Sequence, residues 1–162
     1  CPPDDPLWCG FHNDHGTITG LVAGEYYNTQ TGTVLNESPD PEAGLHVCPL
    51  GWSEPVSVRI PANSLGFQIG ETAQIMSGGI LRAGPHAVIA PRRSNGQSVC
   101  RSTMALFLQP NPEEVLHIPA WDSDGAEALQ TSLLVPPLRG RFSDGDSFAQ
   151  FCSKTIQAYV VP

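Results

Sequence analysis

Residues 56–69 read VSVRIPANSLGFQI, and the alternation in this stretch indicates the fold class. Every second residue is apolar at positions 56–60 and again at positions 65–69, with a Pro-Ala-Asn turn between the two segments. A period of two is typical of a strand with one buried face. The stretch therefore predicts two half-buried strands joined by a turn.

Similar short segments lie on both sides of this stretch. We interpret them as strands, and they lie at 17–22, 45–50, 73–76, 80–81, 86–90, 99–108 and 115–118. Short, evenly spaced strands with turns between them are typical of sandwiches, jelly rolls and barrels. Most of residues 15–118 is therefore predicted to be all-β, in seven or eight strands. The polar stretch 25–43 is predicted to be a loop or a hairpin with a long tip.

The C-terminal part of the chain has a different period. Its apolar residues follow one helical face, at Phe148, Phe151, Cys152, Ile156 and Tyr159, directly after polar residues that can start a helix. This spacing predicts a C-terminal helix. A shorter helix is predicted near residues 125–134.

Composition narrows the class of protein. Of the 162 residues, 40% are apolar, enough for the core of one domain, and the 16 glycines and 16 prolines argue against a helical bundle. The formal charge of −8 disfavours nucleic-acid binding through a basic face, and no apolar run is long enough for a membrane span. The five scattered cysteines favour reduced thiols and a cytoplasmic location. Four aromatic residues are expected in the core, namely Trp8, Trp52, Phe67 and Phe107.

The chain opens with CPPDDP and has neither an initiator Met nor a signal segment. This start predicts a fragment of a longer protein. Within it we expect a lead-in loop at 1–11, a β core at 12–118 and a C-terminal helical segment at 119–162.

The first candidate site is the triplet His12-Asn13-Asp14. In an extended segment, residues two apart point to the same side, so His12 and Asp14 could offer an imidazole and a carboxylate to one metal ion. The alternative is a surface Asp that hydrogen-bonds a His before a turn. His86, which by itself is more often a core histidine, would complete two imidazoles and one carboxylate. That set is the facial triad of non-haem Fe(II) oxygenases.

The second candidate site is Arg101-Ser102-Thr103, in which Arg101 and Thr103 share a face of the predicted strand. A guanidinium binds a carboxylate through two parallel hydrogen bonds, and a Thr hydroxyl adds a donor. The alternative is an Arg that reaches from a strand edge to solvent. Because an unpaired Arg inside a strand is costly, the pattern favours a bound anion.

The order of these motifs resembles the Fe(II)/2-oxoglutarate-dependent dioxygenases, and most closely the branch of isopenicillin N synthase and the plant hydroxylases. Neighbouring segments are similar as well, among them HNDHGTIT at 12–19, GLHV at 44–47, IGE at 69–71 and SGG at 77–79. Residues 143–158 resemble the C-terminal helix of the family. The resemblance covers nearly the whole chain.

The resemblance implies a double-stranded β-helix, or jelly roll, that lacks the N-terminal part of the family fold. It implies that His12, Asp14 and His86 bind Fe(II), while Arg101 and Thr103 bind the co-substrate 2-oxoglutarate. With O2, such an enzyme oxidises a small organic substrate, here expected to be hydroxylated, and forms succinate and CO2. Because Asp14 is present, halogenation is not expected.

Several positions depart from the family pattern. Glu71 stands where Asp is usual, Thr103 stands where Ser is commoner, and insertions lie at 15–43 and 91–98. Tyr26 and Tyr27, in the first insertion, are expected at the mouth of the active site. The chain also begins about where the family has a tyrosine-bearing segment that helps to hold the co-substrate. His15 is expected outside the ligand set, and no role is predicted for the remaining histidines, His46 and His117.

Three alternatives stay open from the sequence. One is a jelly-roll binding module without catalysis, which the missing N-terminal part would favour. Another is an iron oxidase of the same fold that does not use 2-oxoglutarate. A zinc hydrolase is disfavoured, because the ligand spacing is unlike a compact zinc motif.

Overall fold

The computed structural model describes residues 7–38, 40–92 and 98–160. Their regular secondary structure is mostly β-sheet, with a helix at the C-terminal end, as predicted. The strands are β1 (Leu7–His12), β2 (Ile18–Leu21), β3 (Glu25–Asn28), β4 (Val34–Leu35), β5 (Gly44–Val47), β6 (Val56–Ser57), β7 (Gly66–Ile69), β8 (His86–Ile89), β9 (Val99–Ser102) and β10 (Ala105–Leu108). The helices are α1 (Glu71–Met76), a 3-10 turn at Ala120–Asp122 and α2 (Phe148–Val160).

The strands form three antiparallel sheets within the described ranges. The larger sheet has the order β1-β8-β5-β6, and the two smaller ones have the orders β10-β2-β7 and β4-β3-β9. Leu21 of β2 pairs with Ala105, and Glu25 of β3 pairs with Ser102, so β2–β3 and β9–β10 run past each other in opposite directions. The two smaller sheets therefore continue into one another.

A compact apolar core lies under the C-terminal helix. It joins α1, the irregular segment after β10 and α2, and its buried members are Ile75, Leu116, Leu138, Phe142, Phe148 and Phe151. Phe142 and Phe151 meet edge to face with ring centroids 5.8 Å apart, a favoured aromatic geometry. The predicted helix is confirmed, but Thr155 is buried in it while Ile156 is 56% exposed.

The expected core position is wrong for three of the four aromatic residues. The exposed fraction is 60% for Trp52, 63% for Phe67 and 60% for Phe107, whereas Trp8 is half-buried. Phe67 lies beside Leu106 on the outer face of the β10-β2-β7 sheet, where Gly20 between them offers no side chain to pack against. An alternating pattern gives the two faces of a strand, but it does not say which face is covered.

For two segments near the candidate ligands, the predicted secondary structure is wrong. Residues 73–76, read as strand, belong to α1, in which five of the six residues are buried, so no polar face marks the helical period. Residues 7–11, read as loop, belong to β1, whose pairing with β8 is interrupted twice by irregular register. Such irregularities disturb the period of two on which a strand prediction depends.

Three further segments can be compared with their predictions. The stretch 25–43 contains the predicted hairpin, formed by β3 and β4. No strand forms at 115–118, where Val115 makes only an isolated bridge to Ser147, and the helix expected near 125–134 is a series of turns. No helix in the described ranges is long and apolar enough to cross a bilayer.

Candidate active site

Strand pairing brings the two predicted histidine ligands together. The β1–β8 register places His12 directly opposite His86, and their ring centroids lie 4.2 Å apart. Asp14 follows two residues after the end of β1, and its Oδ1 lies 4.0 Å from Nε2 of His12 and 3.8 Å from Nε2 of His86. One donor atom from each of the three residues lies within 4.8 Å of the others. The three side chains therefore form a cluster that could hold a metal ion.

Backbone carbonyls orient both imidazoles towards Asp14. Nδ1 of His12 is 2.8 Å from the Gly10 carbonyl oxygen, and Nδ1 of His86 is 3.1 Å from the Gly84 carbonyl oxygen. In a neutral ring Nδ1 is then the donor, which leaves the Nε2 lone pair facing the cluster. Burial lowers the pKa of His86, and the neighbouring His12 lowers it further, so His86 is kept neutral as metal binding requires.

Thr19 fixes the carboxylate of Asp14. Its hydroxyl donates a 2.6 Å hydrogen bond to Oδ2, and Thr19 is only 2% exposed. The other oxygen, Oδ1, is the one that faces the imidazoles. Thr19 was not predicted as a site residue from the sequence. The sequence signal that could have indicated it is the period of two along β2, which places the Thr19 side chain on the strand face that lines the cavity.

The start of α1 holds the loop that carries Asp14. The backbone N–H of Glu71 donates to the Asp14 carbonyl oxygen at 2.8 Å, and that of Thr72 donates to the Gly16 carbonyl oxygen at 3.1 Å. Gly70 permits this approach, since a β-carbon there would lie 2.1 Å from the Gly16 oxygen. His15 lies in the same loop but outside the cluster, with its ring centroid 6.1 Å from that of Phe148.

The cluster lies at the wall of a cavity of about 860 Å³. The cavity is lined from both sides, by Cys9, Leu45 and Val88 of the larger sheet and by Thr19, Gln68 and Phe107 of the β10-β2-β7 sheet. Each of these triplets is a row of neighbours in the strand register. The site is therefore built from residues that face each other between sheets.

Arg101 lines the same cavity. It is half-buried and lies opposite Tyr26 in the β3–β9 pairing, and its side chain has no hydrogen bond or ion pair with any residue in the described ranges. Its guanidinium lies across Gly24, where a β-carbon would be 2.3 Å from Nε. A half-buried guanidinium without a protein partner is suited to bind an anion.

Thr103 also lines the cavity, although β9 ends one residue before it. Its hydroxyl donates to the Val22 carbonyl oxygen at 3.2 Å. Its proton is therefore engaged by the backbone in this conformation, and a bound anion would receive it only after a side-chain rotation.

Of the remaining candidate residues, one tyrosine lines the cavity, while the other tyrosine and two histidines do not. Tyr26 lines the cavity, with its hydroxyl against Gly44, whereas Tyr27 donates to Glu25 and is not among the lining residues. His46 is buried in β5, and the exposed His117 lies beside Asp144. Neither histidine belongs to the cluster with Asp14.

The donor set fits Fe(II) in its chemistry. Two neutral imidazoles and one carboxylate are its usual facial ligands, and they leave three coordination positions open. Donors on one face of an octahedron with bonds of about 2.1 Å lie roughly 3 Å apart, so the observed separations of 3.8 and 4.0 Å would shorten by about 1 Å.

Comparisons with known proteins found one relative in sequence and several in fold. No family model matches the chain. It is 29% identical over 136 residues to feruloyl CoA ortho-hydroxylase 1 of Arabidopsis thaliana, and the alignment covers 83% of this chain and 32% of that protein. The chain thus spans about a third of the length of this curated relative.

Several solved structures have a similar fold. A full-length Neurospora crassa protein, solved in complex with alpha-KG and thymine, matches with a TM-score of 0.60 at 16% identity, over 97% of this chain and 39% of that one. JOX2, in complex with 2OG, Fe and JA, has a TM-score of 0.59 at 20% identity, over 92% and 34% of the two chains. A 2OG-Fe(II) oxygenase family protein of Caulobacter crescentus has a TM-score of 0.57 at 18% identity, over 91% and 39%.

The fold is therefore that of the Fe(II)/2-oxoglutarate-dependent oxygenases. The resemblance predicted from the sequence is confirmed by both comparisons.

Proposed function

We propose that the parent protein is an Fe(II)- and 2-oxoglutarate-dependent oxygenase that hydroxylates a small organic substrate and forms succinate and CO2. The observation that supports this most directly is the His12–Asp14–His86 cluster in the wall of a cavity that is also lined by Arg101, whose side chain has no partner within the described part of the chain. We further propose that residues 12–118 are part of a double-stranded β-helix, with 119–162 as its C-terminal segment. The expected cytoplasmic location belongs to the same proposal.

In this proposal His12, Asp14 and His86 hold the iron through Nε2, Oδ1 and Nε2. The iron, with 2-oxoglutarate and O2, supplies the oxidising chemistry. The chain contributes the orientation of the three ligands, through the carbonyl oxygens of Gly10 and Gly84 and the hydroxyl of Thr19. Ligands held in advance lose little freedom when they bind metal.

Arg101 is proposed to bind the distal carboxylate of 2-oxoglutarate. Its planar guanidinium can donate two parallel hydrogen bonds to a carboxylate, and nothing in the described ranges competes for them. Thr103 would contribute a third donor after its hydroxyl leaves the Val22 carbonyl oxygen. Arg101 is therefore expected to matter more than Thr103 for co-substrate affinity.

Part of the cavity wall is apolar. Leu21, Leu45, Val88 and Phe107 line the cavity. Apolar walls exclude water from the reacting centre and strengthen electrostatic interactions there. The choice of substrate depends on the residues that line the cavity, among them Tyr26, Val34 and Leu35 of the β3–β4 hairpin.

The proposal is tested by anaerobic titration of the full-length protein with Fe(II) and 2-oxoglutarate. We expect a visible charge-transfer band from the chelated complex and formation of succinate when air is admitted. His86→Ala should abolish both, because it removes one ligand from the cluster. A protein that gives the band with another carboxylate but forms no succinate would instead be an iron oxidase that does not use 2-oxoglutarate. Absence of metal binding would leave only a binding module.

A further inference from the structure

We propose that Asn13 and the buried ion pair Glu71–Arg141 act as positioning residues for the metal ligands. This inference depends on the proposed function, because it assigns a role towards the metal held by His12, Asp14 and His86. It concerns residues that lie outside the cavity and contact neither metal nor substrate.

The ion pair is fully buried and fully hydrogen-bonded. Arg141 donates to both carboxylate oxygens of Glu71, at 2.8 and 2.7 Å, and to Oγ1 of Thr155 at 2.9 Å. Its remaining donors reach the carbonyl oxygens of Pro136 and Pro137, so all five N–H groups have partners. Glu71 is 0% and Arg141 is 4% exposed. A pair with this geometry is rigid, because leaving any of its groups unpaired in the interior is costly.

Asn13 connects this pair to the ligands. It stands between His12 and Asp14 in the chain, and its Nδ2 donates a 3.0 Å hydrogen bond to Oε1 of Glu71. Its backbone N–H donates to the hydroxyl of Tyr159 at 3.3 Å. The segment between the two ligands is therefore held by its side chain and by its backbone.

The side-chain oxygen of Asn13, Oδ1, is the unfavourable part of this arrangement. Asn13 is 6% exposed, and its Oδ1 has no hydrogen-bond partner among the residues that the structure describes. The opposite orientation of the amide would place that oxygen against the Glu71 carboxylate, which excludes it. An apolar side chain would avoid an unpaired acceptor, so the bond from Nδ2 to Glu71 is the contribution that favours Asn at this position.

Glu71 also reaches Asp14 through its backbone. Its N–H donates to the Asp14 carbonyl oxygen at 2.8 Å. One residue thus contacts the ligand segment through its main chain and, by way of Asn13, through its carboxylate. Arg141 then links this contact to α2 at Thr155. The C-terminal helix is by this route connected to the geometry of the metal ligands.

The test measures binding of Co(II) alone to the full-length protein, by titration of its visible ligand-field bands. Asn13→Ala removes the connection but leaves the ion pair in place. We expect Co(II) to bind about tenfold more weakly and the bands to shift, as when residues that support metal ligands are removed. Ile75→Val, in the buried face of α1, is the matched control and should weaken folding without changing either readout. Thr155→Val, at the far end of the pair, should shift the bands in the same direction by less.

The outcomes separate this inference from the proposed function. Weaker, shifted Co(II) binding in Asn13→Ala with an unchanged Ile75→Val supports the positioning role. Wild-type affinity and bands in Asn13→Ala overturn it, provided that His86→Ala loses Co(II), in which case the proposed metal site stands. If Asn13→Ala does not fold, unchanged bands in Thr155→Val overturn it. A wild-type protein that binds no Co(II) overturns both.

Discussion

Thr19 holds one oxygen of Asp14, and the other oxygen is left to face two imidazoles. Side chains of this kind set the orientation of a ligand without touching the metal. The same is true of the carbonyl oxygens of Gly10 and Gly84. At the scale of single residues, the site is therefore larger than its three candidate ligands.

Thr19→Val keeps the shape of the side chain and removes its hydroxyl. Asp14 would then lose the 2.6 Å hydrogen bond to Oδ2, and metal affinity should fall by about tenfold or more. Thr17→Val, two residues earlier, is the control. Isothermal titration with Mn(II) measures the effect, and equal affinities for the two variants would contradict it.

Gly24→Ala should displace Arg101. The added β-carbon would lie within 2.6 Å of Nε, Cζ and Nη2, and the flexible guanidinium can move away more easily than the backbone. We expect little change in stability but roughly tenfold weaker 2-oxoglutarate binding, since a charge-assisted hydrogen bond contributes about 1.5–3 kcal/mol.

Gly20→Ala serves as the control for this variant, because its nearest contact, at 3.6 Å, is ordinary. Fluorescence titration with 2-oxoglutarate under anaerobic Fe(II) is the measurement. If Gly24→Ala binds 2-oxoglutarate like the wild type, Arg101 does not hold the co-substrate in the observed position.

At the scale of elements, the short helix α1 matters for its N-terminus. Its first N–H groups donate to the carbonyl oxygens of Asp14 and Gly16, which satisfies helix donors that otherwise have no partner. Helix and ligand loop therefore form one unit, and Gly70 is the position at which they meet.

Gly70→Ala should disrupt that unit. Its β-carbon would lie 2.1 Å from the Gly16 oxygen, and because the obstructing atoms are backbone, they cannot rotate away. Overpacking of this kind costs about 1–3 kcal/mol, which urea denaturation would detect as a lower midpoint. Gly10→Ala, with nothing within 4 Å of its β-carbon, should leave the midpoint close to that of the wild type.

The turn after the 3-10 helix predicts a pH dependence. The backbone N–H groups of Ala128 and Glu127 donate to Asp122 at 2.7 and 3.2 Å, and these bonds lower the pKa of its carboxyl group. Because the folded-state pKa is lowered, the carboxylate stabilises the fold above its unfolded pKa of about 3.9, and this contribution is lost as pH falls through the folded value.

Asp122→Asn should therefore unfold at a lower temperature than the wild type at pH 7. The difference should narrow as the pH is lowered below about 4, where the wild-type carboxyl also becomes neutral. Thermal unfolding followed by circular dichroism across this range is the measurement, and a difference that is independent of pH would exclude the charge as the cause.

At the scale of the whole molecule, the apolar surface is divided between a core and an open sheet face. The core under α2 is buried, while Phe67 and Leu106 on the outer face of the β10-β2-β7 sheet are each 63% exposed. Exposed apolar side chains on a sheet favour self-association. The described residues do not cover this face.

Phe67→Thr should change the free energy of unfolding of this 162-residue chain by less than about 1 kcal/mol, because the side chain is already in water. It should also reduce self-association, which light scattering would measure. Leu138→Ala, in the core, should cost about 2–5 kcal/mol in the same chain. Equal costs for the two variants would show that the sheet face is covered in solution.

The sequence by itself determined the elements that have a clear period and the residue types of the site. Alternation predicted strands such as β6 and β7, and the spacing of Phe148 and Phe151 predicted α2. The candidate ligands were predicted because side-chain chemistry and motif order can be read without coordinates. The structure brings His12, Asp14 and His86 together, and their role as ligands stays a prediction.

Only the tertiary structure decided which faces are covered and what holds the ligands. The helix α1 is buried on nearly all sides, so its sequence lacks the helical alternation of polar and apolar faces. Phe67 has the sequence pattern of a core residue, although its side chain is exposed. Glu71 and Arg141 are 70 positions apart in the chain, and nothing local relates them. Contacts over such distances are set by how sheets and helices pack, and a local pattern does not contain that information.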